Sequence, residues 1–209
     1  MSTIVIALLA YLIGSVSFAV IVSRVFSLPD PRSYGSGNPG ATNVLRTGRK
    51  AAAALTLLGD SIKGWLAVFL AQQLADPAAV EAGMAWAAVA VTLGHMYPAF
   101  FRFQGGKGVS TALGVMIALN IYLAAGAAAT WIIIAFFFRI SSLAALVAAL
   151  FAPFSALLLY DARHPYLWSL AVIAILLFWR HRTNIRNLLA GRESRIGGRN
   201  AAPPETSEN

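Results

Sequence analysis

Apolar residues run along this chain in long blocks, separated by short stretches rich in glycine and small polar residues. The blocks span 4–26, 51–74, 84–101, 109–138, 142–159 and 165–179. Most approach the roughly 20 residues a helix needs to cross a bilayer. The block 109–138 is too long for one crossing. It is expected to break around Leu123, Ala124, Ala125 and Gly126, giving two short helices and seven in all. The pattern predicts an all-α integral membrane protein with seven transmembrane helices. The first block has neither the basic lead-in nor the small-residue cleavage site of a secretory signal peptide, so it is read as part of the fold.

Charge sets the orientation. Threading seven spans puts Arg24, Arg32, Arg46, Arg49, Lys50, Arg102, Lys107, Arg139 and the arginines from Arg180 to Arg199 on one side. The other side receives Arg163 beside Asp76, Glu81 and Asp161. By the positive-inside rule the N-terminus is outside and the C-terminus cytoplasmic. Composition agrees: 58% of the 209 residues are hydrophobic and only 11% charged, against about 25% charged in soluble domains. The net charge of +8 therefore reads as membrane topology, and no nucleic-acid partner is expected. With no cysteine, disulfides and thiolate chemistry are excluded. The chain divides into a membrane domain, 1–193, and a polar tail, 194–209, expected to be disordered.

The inner loops carry the chemistry. The first reads SYGSGNPGATNVLRTGRK. Ser36, Gly37, Asn38, Gly40 and Asn43 combine flexible backbone with hydroxyl and amide groups, and Arg46 follows with a planar donor fork suited to phosphate. The second reads GHMYPAFFRFQGGKGVSTALG. Gly105, Gly106, Lys107 and Gly108 open a helix there, bringing an ammonium and free N–H groups to its positive end. The nucleotide-binding spacing G-x-x-x-x-G-K-[ST] is absent, so phosphate binding is expected without a nucleotide. His95 is equally suited to a structural hydrogen bond and to catalysis. Ser141 and Ser142 begin a helix, as caps or anion ligands. In WRHRTNIRNLLAGRE, His181 and Asn184 share a helix face and are candidates for substrate contact, while Arg180, Arg182 and Arg186 read as interfacial cations. Asp60 and Lys63, three residues apart inside the second span, are either a mutually neutralising pair or part of the site.

The segments GSGNPGATN, GDSIKG, GHMYPAFF with GGKGVSTALG, RISSLA and WRHRTNIRNLL together resemble the PlsY family of bacterial acyl-phosphate:glycerol-3-phosphate acyltransferases. The resemblance runs from the first span to about Glu193. It implies a multi-pass enzyme of the bacterial cytoplasmic (inner) membrane whose active site faces the cytoplasm. Such an enzyme moves a fatty acyl group from acyl phosphate to the 1-hydroxyl of sn-glycerol 3-phosphate. The products are lysophosphatidic acid and inorganic phosphate, in the first acylation of phospholipid synthesis. A soluble phosphate acyltransferase would supply the donor, and no cofactor or metal is implied. By motif, Ser36, Arg46, Lys107, His181 and Asn184 match the polar residues lining the family's substrate site. Ser141 with Ser142 matches its serine pair, and Gly105 with Gly106 its phosphate loop.

The residues support this chemistry independently. An acyl phosphate is a mixed anhydride, already activated, so the protein needs mainly to hold two anions and stabilise the departing phosphate. No Ser-His-Asp signature and no metal-ligand cluster is needed, and none is seen in the sequence. A transporter of a phosphorylated metabolite is disfavoured by the poverty of the outer loops and by the lack of a repeat between halves. A CDP-alcohol phosphotransferase would need a cluster of metal-binding aspartates, and Asp60 stands alone in its region.

Overall fold

The computed structural model describes residues 1–196. Ten α-helices follow in order: α1 Thr3–Gly14, α2 Phe18–Val25, α3 Ala41–Leu45, α4 Lys50–Leu74, α5 Val80–Met96, α6 Val109–Leu119, α7 Ile121–Phe138, α8 Ser141–Leu159, α9 Pro165–Arg180 and α10 Arg182–Leu189. No strand occurs among the described residues. Five helical segments are long and apolar enough to cross a membrane: Thr3–Val25, Lys50–Leu74, Pro77–Phe101, Ile121–Phe138 and Ser141–Leu159. Val109–Leu119 and Pro165–Arg180 are shorter apolar helices.

The first block is not one continuous helix. It breaks over Ser15, Val16 and Ser17. Backbone groups freed inside a membrane need partners, and side chains from other segments supply some of them. The Ser15 hydroxyl donates to Tyr11 O and accepts from the Ala99 amide, while Lys63 Nζ donates to Val16 O at 2.6 Å. The block 109–138 does divide, but at Asn120 rather than at Leu123–Gly126. Asn120 is extended, accepts from the Tyr122 amide at 2.8 Å and donates to the Tyr160 hydroxyl at 2.8 Å, so it caps α7. Gly126 stays helical because its bare face meets the Phe151 ring.

Helix α5 is the centre of the bundle, packed against α1, α4 and α9, and α7 lies at the periphery on α8. The closest approaches rely on glycine. Gly14 of α1 meets the backbone of Val91 in α5, and Gly94 of α5 meets that of Tyr11. Between α4 and α6 the pair is Gly64 on Thr111 and Gly114 on Ser61. Small residues let membrane helices approach backbone to backbone, the main source of packing where both surroundings are apolar. A Cβ at Gly114 would run into the Ser61 carbonyl, which cannot rotate away. Gly114→Ala is therefore expected to destabilise the folded protein by about 1–3 kcal/mol. Thermal unfolding in detergent would register this as a lowered midpoint.

A second, smaller core of Ala19, Val22, Val44, Ala52 and Ala53 joins α2, α3 and α4. It anchors the polar loop between α2 and α4 to the membrane domain.

Candidate active site

The loop 26–40 is shaped by one side chain. Asn43, only 2% exposed, accepts from the Ser36 amide at 3.0 Å and donates to Pro31 O at 2.7 Å and Tyr34 O at 3.2 Å. A buried amide with these bonds met is a structural element, so Asn43 acts here by holding the loop. It leaves the Ser36 side chain exposed and Arg46 exposed one turn further on. Gly37 takes a left-handed φ of 65°, and Gly40 caps α3 without a side-chain bond. Asn38 lies beside Gly40.

The second glycine segment leans on the end of α5. The Gly106 amide donates to His95 O at 3.1 Å. A Cβ on Gly105 would strike that same carbonyl, and one on Gly106 would strike His95 Nε2. From the other side Arg180 donates to Gly105 O at 2.7 Å and Gly106 O at 3.1 Å, with its guanidinium 5.2 Å over the Tyr97 ring. The turn is clamped by its amide and by its carbonyls. Gly108, at φ 89°, then starts α6.

Three segments far apart in sequence meet at Lys107. Its Nζ donates to Asn184 Oδ1 at 2.5 Å, Asn184 Nδ2 donates to Glu193 Oε1 at 2.6 Å, and Ser142 Oγ donates to the same oxygen at 2.8 Å. Ser141, next to it, lies 3.3 Å from the Thr42 hydroxyl, which ties the first loop to the start of α8. Arg46 reaches Ser194 Oγ at 2.9 Å. His181 is buried, and its Nδ1 lies 2.8 Å from Leu177 O. A carbonyl can only accept, so Nδ1 carries the proton in neutral His181 and Nε2 the lone pair.

The electrostatics favour an anion. Burial pulls the Lys107 ammonium down to about 8; Glu193 opposes the shift, and Arg180 and Arg46 add to it. Burial first, and the Lys107 charge second, push His181 down to about 4, so it is neutral at pH 7. Arg180 and Arg46 thus add positive potential at Lys107, and a phosphate would relieve that repulsion.

Two hollows are lined by chain neighbours of this cluster, Gly105 in one and Val109 in the other. A polar cavity of about 320 Å³ lies between the glycine loops, among Arg32, Gly37, Gln104, Gly105 and Arg180. A narrow apolar cleft of about 30 Å³ runs between α6, α8 and α9, from Val109 and Leu177 past Ala145, Ala148 and Ala149 to Ala152. No group of three or more His, Asp or Glu side chains able to hold a metal occurs among the described residues.

The family model described as glycerol-3-phosphate acyltransferase matches residues 4–191. The chain belongs to the PlsY family of glycerol-3-phosphate acyltransferases. It is 60% identical over 203 residues to the glycerol-3-phosphate acyltransferase of Burkholderia ambifaria (strain MC40-6), covering 97% of this chain and 94% of the relative. It is 59% identical to that of Burkholderia multivorans (strain ATCC 17616 / 249), with the same coverage. Its fold matches the crystal structure of PlsY (YgiH), an integral membrane glycerol 3-phosphate acyltransferase, in the glycerol 3-phosphate form. The TM-score is 0.84 at 35% identity, covering 94% of this chain and 96% of that one. A second crystal structure of that protein, in the lysophosphatidic acid form, gives a TM-score of 0.82. With these likenesses and its apolar helices, the chain is a multi-pass membrane protein.

Within this PlsY-family chain the structure gathers Lys107, Asn184 and Ser142 into one network and sets His181, Arg46 and Ser141 around it. Two participants escaped the sequence. Glu193 joins Asn184 to Ser142; its signal was to be the lone acid in the arginine-rich stretch from Arg180 to Arg195. Arg180, expected at the interface, instead clamps the glycine turn. Arg182 keeps the expected exposed position, stacked 5.2 Å from Trp179. Of the tail expected from 194 onward, Ser194 and Ile196 bond to Arg46 and Arg139. Residues 197–209 lie outside the described part.

Lys107 also sets a pH dependence. Its positive charge is present below about 8 and is lost as pH rises through that value. Affinity for inorganic phosphate is expected to weaken between pH 7 and 9. Lys107→Arg, whose guanidinium stays charged, is expected to carry that limb to higher pH. Phosphate titrations across the range would check both.

Proposed function

We propose that the chain transfers a fatty acyl group from acyl phosphate to the 1-hydroxyl of sn-glycerol 3-phosphate, giving lysophosphatidic acid and inorganic phosphate. The observation that carries this reading is the hydrogen-bonded network around Lys107, two residues before Val109 at the rim of an apolar cleft. One substrate has a phosphate and a long chain, the other a phosphate and hydroxyls. The relative solved with glycerol 3-phosphate and with lysophosphatidic acid supports the acceptor and the product.

In this reading Lys107 and Arg46 hold phosphate oxygens, Ser36 and Asn38 orient the glycerol backbone, and Asn184 and His181 close the site from the last helices. Gly105 and Gly106 bring backbone close to an anion, and Ser141 and Ser142 line its edge. The acyl chain runs along the small-residue faces of α6, α8 and α9 toward Ala152, where the cleft of about 30 Å³ must widen to admit it, and glycerol 3-phosphate enters through the polar cavity. The O1 hydroxyl attacks the acyl carbonyl carbon, the bond from that carbon to the bridging oxygen breaks, and phosphate leaves with the electron pair and its O–P bond intact while a phosphate oxygen takes the hydroxyl proton. With His181 at about 4 and a phosphate second pKa near 6, the phosphate is the stronger proton acceptor. His181→Ala is accordingly expected to leave the pH profile unchanged.

The reading includes seven crossings of the bacterial inner membrane, an outer N-terminus and a cytoplasmic site, supported by the charge asymmetry of the loops. It also includes a soluble phosphate acyltransferase that supplies the donor. The test is purified protein in detergent with palmitoyl phosphate and glycerol 3-phosphate, without metal or coenzyme A. Phosphate release that needs both substrates and yields lysophosphatidic acid is expected. Release without the acceptor, or activity only with acyl-CoA, would overturn the assignment.

A further inference from the structure

Behind the glycine turn lies a chain of ionisable groups that the reaction itself does not use. Asp60 and Lys63 of α4 and His95 of α5 are 1%, 3% and 7% exposed. Lys63 Nζ sits 2.9 Å from Asp60 Oδ1, at ion-pair distance but out of hydrogen-bond alignment. His95 Nδ1 sits 3.5 Å from the same oxygen, and neither Asp60 Oδ1 nor His95 Nδ1 has a hydrogen-bond partner among the described residues. Lys63 continues to Val16 O, at the break in the first span.

Burying such groups is costly, and for stability alone an apolar replacement of similar volume commonly serves as well or better. Their placement points to a different use. His95 touches both the buried charges and the turn that carries Lys107. One ring edge, with Nδ1, faces Asp60; the other, with Nε2, abuts Gly106. Its carbonyl takes the Gly106 amide. Rotation of the ring about its side-chain bonds would push Gly106, and Arg180 prevents the turn from yielding by holding both glycine carbonyls.

We propose that Asp60 and His95 are a positioning pair that fixes the Gly105–Lys107 turn from inside the membrane domain, and through it the reach of the Lys107 ammonium to phosphate. The inference rests on the acyltransferase reading for the identity of the phosphate, though not for the geometry. Lys63 balances the Asp60 charge and ties the pair to the broken first span.

Three variants test it: His95→Phe, which keeps the ring and loses Nδ1; His95→Asn, which keeps a polar group beside Asp60 and loses the ring edge against Gly106; and D60N/K63Q, which removes both charges together. Each is purified in detergent and checked for folding by thermal unfolding. Inorganic phosphate is titrated calorimetrically, and KM for glycerol 3-phosphate and kcat are measured. A displaced turn is expected to weaken phosphate binding and raise KM in folded His95→Phe and D60N/K63Q by about tenfold to a hundredfold. His95→Asn, without a ring edge against Gly106, is expected to share that loss. A merely structural pair would lower the unfolding midpoint and leave phosphate affinity and KM alone.

Folded variants with phosphate affinity and KM within twofold of wild type would overturn the proposal. So would failure of all three to fold, because the pair would then be a folding element. If the wild-type protein transfers no acyl group, the acyltransferase reading fails while the phosphate titration still judges the pair.

Discussion

Replacing Lys107 with alanine is expected to lower kcat/KM for acyl transfer by about two to three orders of magnitude, the usual cost of deleting one donor aimed at developing charge. The ammonium is held by Asn184 Oδ1, and Asn184 is held in turn by Glu193. Its removal strips the anion site of a charge and frees the Asn184 carbonyl to swing. The fold is expected to survive, because the Lys107 side chain is itself only partly buried and lies outside the bundle core. Steady-state kinetics with both substrates, beside an unfolding curve, would check this. A loss below tenfold in a folded variant would place the ammonium away from the departing phosphate.

The other large effect is expected at Gly106. An alanine methyl there would meet His95 Nε2 and lie 3.0 Å from Pro39 O, so it presses on both glycine loops at once. The neighbour at Pro39 is backbone and cannot fold away. The turn must move by some tenths of an ångström, enough to disturb Lys107 at the next position. Gly106→Ala is expected to cost about 1–3 kcal/mol of stability and about a hundredfold in kcat/KM. Gly48→Ala is the informative control. Gly48 has φ 79° and open space around it, so it pays backbone strain of about 1 kcal/mol without pushing anything. Equal kinetic losses in the two variants would sink the steric account.

Hydropathy made the bundle legible because a membrane helix must be apolar over nearly its whole length. Its breaks were harder to see. Gly126 looked like the weak point of the 109–138 block, yet it serves close packing against Phe151, and Asn120 ends the helix by capping. The pause at Ser15–Ser17 is invisible to hydropathy, because small hydroxyl residues hardly lower it. Composition suggested anion sites in the glycine loops, whereas the fit of the second loop against His95 and Arg180 depends on packing between α5 and α9. Asp60 and Lys63 could be paired from their spacing, whereas His95 as the third member required the approach of α4 to α5. Glu193 lay 51 residues from Ser142, and nothing local announced their meeting.

Helix α6 has 11 residues, so it is only about 16 Å long, roughly half the hydrocarbon thickness of a bilayer. It runs from the cap at Asn120 straight to the turn bearing Lys107. On the proposed acyl-transfer reading, so short a post keeps the centre within reach of a donor dissolved among the lipid chains. A donor dissolved in the membrane then arrives by lateral diffusion in two dimensions, with no need to pull its tail into water. Its effective concentration is a mole fraction of the surrounding lipid or detergent. Turnover should thus fall when inert amphiphile dilutes the donor at constant bulk concentration, while the water-borne acceptor obeys ordinary solution kinetics.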